Sequence, residues 1–97
     1  MAGRRFFTGG PLTMYLATFF SHFGATRFRR LCAQEGVEAE LMPVPRSLSS
    51  NCGTCARFAR VPLSPDEPWP DEVERVVSFD ENDRVPVYMP IYAAEGL

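Results

Sequence analysis

Two cysteines spaced as Cys-x-x-Cys, Cys52 and Cys55, close a proline-framed polar loop that reads Pro43-Val-Pro-Arg-Ser-Leu-Ser-Ser-Asn-Cys-Gly-Thr-Cys55. Thiols at that spacing can form a disulfide, supply half of a metal site, or act as one attacking and one resolving sulfur. Arg46 rides on the same loop, where a guanidinium favours a nearby thiolate. With the hydroxyls of Ser47, Ser49 and Ser50 it can equally anchor an anionic ligand, although serine-rich loops are also ordinary solvated turns. The single histidine, His22, is the other group able to assist a thiol. Cys52 is the candidate nucleophile, and Cys55 is either its resolving partner or a small side chain between strands.

Zinc and thioredoxin-type chemistry fit this pattern less well. His22 and Cys32 lie ten positions apart on one expected helix, roughly 15 Å at about 1.5 Å per residue, so both cannot ligate one tetrahedral ion. A monomer then offers at most His22, Cys52 and Cys55, and no metal or cofactor is assigned. Cys32 shares the apolar face of that helix with Phe28 and Leu31, which reads as packing. A thioredoxin-type Cys-x-x-Cys opens a helix after a strand, and this one opens a strand.

A chain of 97 residues can bury one hydrophobic core but not a second lobe, so chemistry belongs on a loop or sheet face. Apolar residues at 45 %, with eight Phe, three Tyr and one Trp, suffice to fold it without a staple. Ten arginines against twelve acids leave a net charge of −2 and no basic run, which argues against a nucleic-acid partner. The absence of lysine excludes lysine Schiff-base chemistry and a lysine-type phosphate loop. No apolar stretch approaches the roughly 20 residues of a membrane span, and the N-terminus lacks a signal-peptide core. The expected compartment is the cytoplasm, where thiols stay reduced and a Cys-x-x-Cys is reactive or metal-binding rather than a structural bridge.

The elements that must position these groups follow from periodicity. Residues 1–13 contain a Gly-Gly-Pro breaker and no period, and are expected to form a flexible arm ahead of one domain over 14–97. Residues 14–20 read as a largely buried strand. Ser21 suits an N-cap for a helix over 22–35, with Gly24, Phe28, Leu31 and Cys32 on its apolar face and Gly36 as its stop. Residues 37–41 alternate as a second strand running to Pro43. After the loop, 54–61 alternate again, with Ala56 and Phe58 on one face and Cys55 and Arg57 on the other. A proline-rich connection over 62–68 precedes Trp69, Val73, Val76 and Val77, whose spacing predicts a second helix with Pro70 in its first turn, closed by Glu81-Asn-Asp-Arg84. Residues 85–92 form a last strand, confined to an edge by Pro86 and Pro90.

The order β-α-β-β-α-β predicts an α+β domain with the ferredoxin-like fold, a four-stranded antiparallel sheet carrying two helices on one face. In that arrangement the first two strands run parallel and the third returns between them. The Cys52 loop and the Ser21–His22 turn therefore meet at one end of the sheet. A helix end contributes about 0.3–1 kcal/mol when exposed, less than the roughly 1.36 kcal/mol of a single pKa unit, so activation of Cys52 also needs His22 or Arg46 close by.

The stretch from Tyr15 to Arg60, and above all the pattern P-x-P-R-x-[IL]-S-x-x-C-G from Pro43 to Gly53, resembles the DUF3343 family of Se/S carrier-like proteins. The resemblance implies a carrier role for Cys52, with Arg46, Ser49 and Gly53 as motif companions. The N-terminal arm and the segment 62–68 are longer than the compact family pattern. As a carrier, Cys52 would accept sulfane sulfur or selenium from a cysteine desulfurase-type donor and pass it to a biosynthetic acceptor enzyme, with release through Cys55 as one route. The rival reading is a non-catalytic binding or regulatory module, since ferredoxin-like domains often serve as ligand sensors or oligomerising units; Arg46 and the serines would then bind an anion and Cys52 is incidental.

Overall fold

The computed structural model describes residues 12–95, so most of the expected arm lies outside the described residues. Among these, the elements are β1 (Thr13–Phe19), α1 (His22–Gln34), β2 (Ala39–Pro43), β3 (Thr54–Phe58), β4 (Val73–Asp80) and β5 (Met89–Ala93). Thr13, counted with the expected arm, belongs to β1 and pairs with Asp80. The five strands form one antiparallel sheet in the order β2-β3-β1-β4-β5. The class is α+β, as expected. The four-stranded sheet with two helices is corrected to five strands and one helix among the described residues.

The first half follows its sequence signals. Ser21 caps α1, its Oγ accepting the Gly24 N–H at 3.2 Å. Gly24, Ala25, Phe28 and Cys32 are buried on one face of the helix. Glu35 ends it, and Gly36 follows at φ 73°, a left-handed turn that a residue with a Cβ adopts only with strain. The core between α1 and the sheet stacks Tyr15 on Phe58 and sets Phe28 against both Phe19 and Phe58.

The second helix expected from Trp69 to the Glu81-Asn-Asp-Arg84 stop is absent, because Val73–Asp80 is β4, paired along the length of β1. The misreading has a definite cause. Across the irregularity at Thr18/Phe19, Ala17 pairs with Val76 and Phe19 with Val73, so one extra residue sits in β4. This β-bulge puts Val73 and Val76 on the helix-covered face although they are three apart, while Val77 packs on the opposite face. A bulged strand of β-branched residues thus imitates the three-and-four spacing of a helix. Trp69, on the connection before β4, stacks against Phe28 and Tyr92 and covers part of the face assigned to the missing helix. The last strand is shorter than expected: β5 spans Met89–Ala93 at the sheet edge rather than 85–92.

The far face of the sheet is covered as well. Leu16, Cys55 and Val77 form a second buried cluster beneath Met42, Val44 and Leu48 on one side and Phe79 and Tyr88 on the other. The loop that carries Cys52 is therefore packed by its own leucine and valine onto the sheet.

Candidate functional site

Residues 44–53 connect β2 to β3 and lie at the end of the sheet where β1 gives way to α1. Leu48 N–H donates to the Pro45 carbonyl at 2.9 Å, making a turn that drives Leu48 into the second cluster. Val44 N–H donates to the Gly53 carbonyl at 3.1 Å and closes the loop's base. Ser50 Oγ–H reaches the Phe19 carbonyl at 3.2 Å. Asn51 Nδ2 donates to Glu74 Oε2 at 2.8 Å. Loop and helix start are neighbours, as the strand directions require.

Cys52 sits half-buried at the end of this loop, touching the helix-side core. Its N–H donates to Ser50 Oγ at 3.3 Å. Its thiol donates to the Thr54 carbonyl at 3.2 Å and accepts the Thr54 N–H at 3.4 Å. Gly53 makes this doubling-back possible with φ 73°, and a Cβ built on it meets no atom within 4 Å. His22 Nδ1 shares a 3.3 Å hydrogen bond with Thr54 Oγ1, so Thr54 stands between imidazole and sulfur. The structure brings His22 to the site through Thr54. Arg46 and Ser49 are exposed on the loop, and Arg46 has no ion pair or hydrogen bond among the described residues.

Cys55 lies on the sheet face opposite Phe58, as its alternation predicts, but that face is not open. Its side chain is 0 % exposed in the second cluster. The thiol donates to the Pro43 carbonyl at 3.7 Å. Burial first, and then the charge of Cys52, push its pKa from the ordinary 9.0 up to about 11. All three cysteines are free thiols. Cys32 is packed in the core, in line with its place on the apolar helix face, and burial pushes it up to about 11 as well. Among the described residues no group of three or more His, Cys, Asp or Glu side chains is arranged to hold a metal ion. No described helix is long and apolar enough to cross a membrane.

A family model described as "Putative Se/S carrier protein-like" matches residues 14–63, just over half of the chain. The chain belongs to this Se/S carrier-like family. The matched stretch runs from β1 through α1, β2 and β3 and contains the whole Cys52 loop, so the family's shared part is the structural unit that presents that thiol. No curated protein and no solved structure matches the chain.

Sequence reasoning misses three contributors. Thr54 contacts both His22 and Cys52, and its only signal is its place directly after the turning glycine. Asn51 reads as ordinary loop polarity. Glu74 reads as an ordinary polar position of the expected second helix; the bulge instead buries it to 4 % exposure against the loop. No sequence signal announces that burial.

Away from the loop, an open groove of about 790 Å³ at the other end of the sheet carries Arg29, Arg57 and Arg60 among its walls. Arg60 is engaged with the Glu35 and Gly36 carbonyls, and Arg57 pairs with Glu81. None of its lining residues is a cysteine or histidine. The candidate thiol instead lies half-buried at the end of a loop packed on the sheet, outside that groove.

Proposed function

We propose that the protein is a sulfur or selenium carrier in which Cys52 is the accepting thiol. The observation that carries this reading is the half-buried Cys52 sulfur, held by both Thr54 backbone groups at the β3 end of the family's loop. The Cys52 thiolate attacks the outer sulfur of a donor persulfide, a new S–S bond forms, and the donor's S–S bond breaks with its electron pair leaving on the donor thiolate. The sulfane proton stays with the transferred atom, so no outside oxidant or reductant is consumed. Delivery is the same step reversed: an acceptor nucleophile attacks the outer atom and Cys52 leaves as thiolate. Selenium follows the same course as Cys–S–SeH.

The donor in this reading is a cysteine desulfurase-type enzyme and the acceptor a biosynthetic enzyme, both working in the reducing cytoplasm. A surface loop with a half-exposed thiol suits handover between two proteins better than a deep pocket does. Arg46, exposed and uncommitted, is placed to pair with an acidic group on either partner. Gly53 shapes the loop through its left-handed φ, Ser49 lies exposed on it, and His22 orients Thr54. Handover at the outer atom is favoured over release through an internal disulfide. A Cys55 pKa of about 11 leaves on the order of one thiolate in ten thousand near pH 7, and its sulfur is enclosed on the other sheet face. The domain assigned to this work is the expected 14–97 extended by Thr13, the first residue of β1, and its β1-α1-β2-β3 portion follows ferredoxin-like strand directions.

The test is intact mass before and after incubation with a cysteine desulfurase and cysteine, without reductant, on wild type and Cys52→Ser. A species one sulfur heavier, absent from the variant, is the expected result. No adduct on wild type, or an adduct that survives the substitution, would overturn the reading.

A further inference from the structure

The geometry points to Glu74 as a positioning residue for Cys52, acting through Asn51. The bulge that makes β4 imitate a helix is what creates the contact. With one residue too many in β4 between the partners of Thr18 and Phe19, Glu74 is the extra residue, and it is turned inward rather than paired with β1. It is 4 % exposed, and its carboxylate makes no ion pair among the described residues. Oε2 accepts the Asn51 side-chain N–H at 2.8 Å, whereas Oε1 is buried without a hydrogen-bond partner.

A carboxylate taken out of water and satisfied on one oxygen is an expensive element of a small fold. Its one side-chain partner is the residue directly before Cys52. The loop has a second tether in Ser50 Oγ on the Phe19 carbonyl, so consecutive residues are tied to two different strands, β1 and β4. That double tether fixes the backbone from which the Cys52 N–H and thiol make their bonds to Ser50 and Thr54. Glu74 lies outside the residues that the family model covers, so this support is built by the chain's C-terminal strands onto the shared loop.

The inference rests on reading Cys52 as the reacting thiol, and its test reads the thiol itself rather than sulfur loading. Iodoacetamide labelling of the folded protein is followed site by site by mass spectrometry in Asn51→Asp, Glu74→Gln and the double variant. Asn51 is an exposed residue, and Asp there sets two carboxylates against each other without altering the core. Loss of a hydrogen bond to a charged group corresponds to about tenfold or more in loop opening. Cys52 labelling in Asn51→Asp is therefore expected to rise about tenfold while Cys32 and Cys55 stay protected. Glu74→Gln keeps an acceptor for Asn51 and should label like wild type. In the double variant the amide introduced on β4 donates to the carboxylate introduced on the loop, and Cys52 labelling should fall back to within about threefold of wild type. Unchanged Cys52 labelling in Asn51→Asp, equal rises at all three cysteines, or no recovery in the double variant would each overturn the proposal. Sulfur loading forms no part of this readout, so a failed carrier assay would leave it standing.

Discussion

Gly53 is the residue on which the loop's geometry can be tested most cleanly, because its role is purely conformational. Its φ of 73° lies in the left-handed region, and a Cβ placed there meets nothing within 4 Å. Replacement by Ala therefore adds no clash, and the cost is the dihedral penalty alone, roughly 1–2 kcal/mol for an L residue. Asn tolerates this region and should cost less; Val, branched at Cβ, should cost more. The strain has two outlets. If the loop holds, the whole domain carries it, and Tm falls by about 4–8 °C per kcal/mol for a domain of this size. If the loop yields, the Val44 to Gly53 and Thr54 to Cys52 bonds open locally, and Cys52 becomes about 5–30 times more reactive toward iodoacetamide with little change in Tm. Melting and labelling measured together capture both outlets. The order Gly, Asn, Ala, Val in increasing cost is the expected result. An Ala variant unchanged in both measurements, or an Asn variant as damaged as Ala, would refute the assignment of the turn to backbone strain.

Gly24 offers the contrasting case: a Cβ there would sit 2.6 Å from Glu72 Cβ, so Gly24→Ala should lose about 1–3 kcal/mol to overpacking, partly offset by about 1 kcal/mol of helix propensity, and chemical denaturation should show a net loss. Ser21→Ala removes the oxygen that accepts the Gly24 N–H and should cost about 0.5–2 kcal/mol by the same measurement. Cys55→Ala should load and deliver sulfur at the wild-type rate once corrected for folded fraction; a selective loss of delivery would restore Cys55 to the reaction. Cys32 and Cys55 both rise from 9.0 to about 11 on burial, so the folded state holds protons that the unfolded chain has released between those values. Stability should be fully present below about pH 9 and decline as pH rises toward 11, a decline that urea melts across that range should find reduced in Cys32→Ala.

How much was legible depended on how local each signal was. The β1-α1-β2-β3 half could be read because a cap, a periodic apolar face, a stop glycine and two alternating strands are all written within a few residues of where they act. The meeting of the Cys52 loop with the helix start followed from strand direction alone. The C-terminal half resisted because the spacing of Val73, Val76 and Val77 fits both a helix and a bulged strand. Only pairing with β1, some sixty residues earlier in the chain, selects the strand. The fate of Cys55 likewise hung on whether its face was covered, and Leu48 and Val44 cover it by folding back from the loop.

By itself the sequence determined the α+β class and that Cys52 stands in a loop of the Se/S carrier-like pattern, because motif, caps and breakers act through neighbouring residues. Tertiary structure alone decided that the second apolar segment is a strand, that Cys55 is sealed away while Cys52 is left half-open, and that Glu74 stands behind the loop. Each of those outcomes depends on which strand lies beside which, and burial, thiol protonation and long-range hydrogen bonds are properties of that pairing rather than of any local stretch of chain.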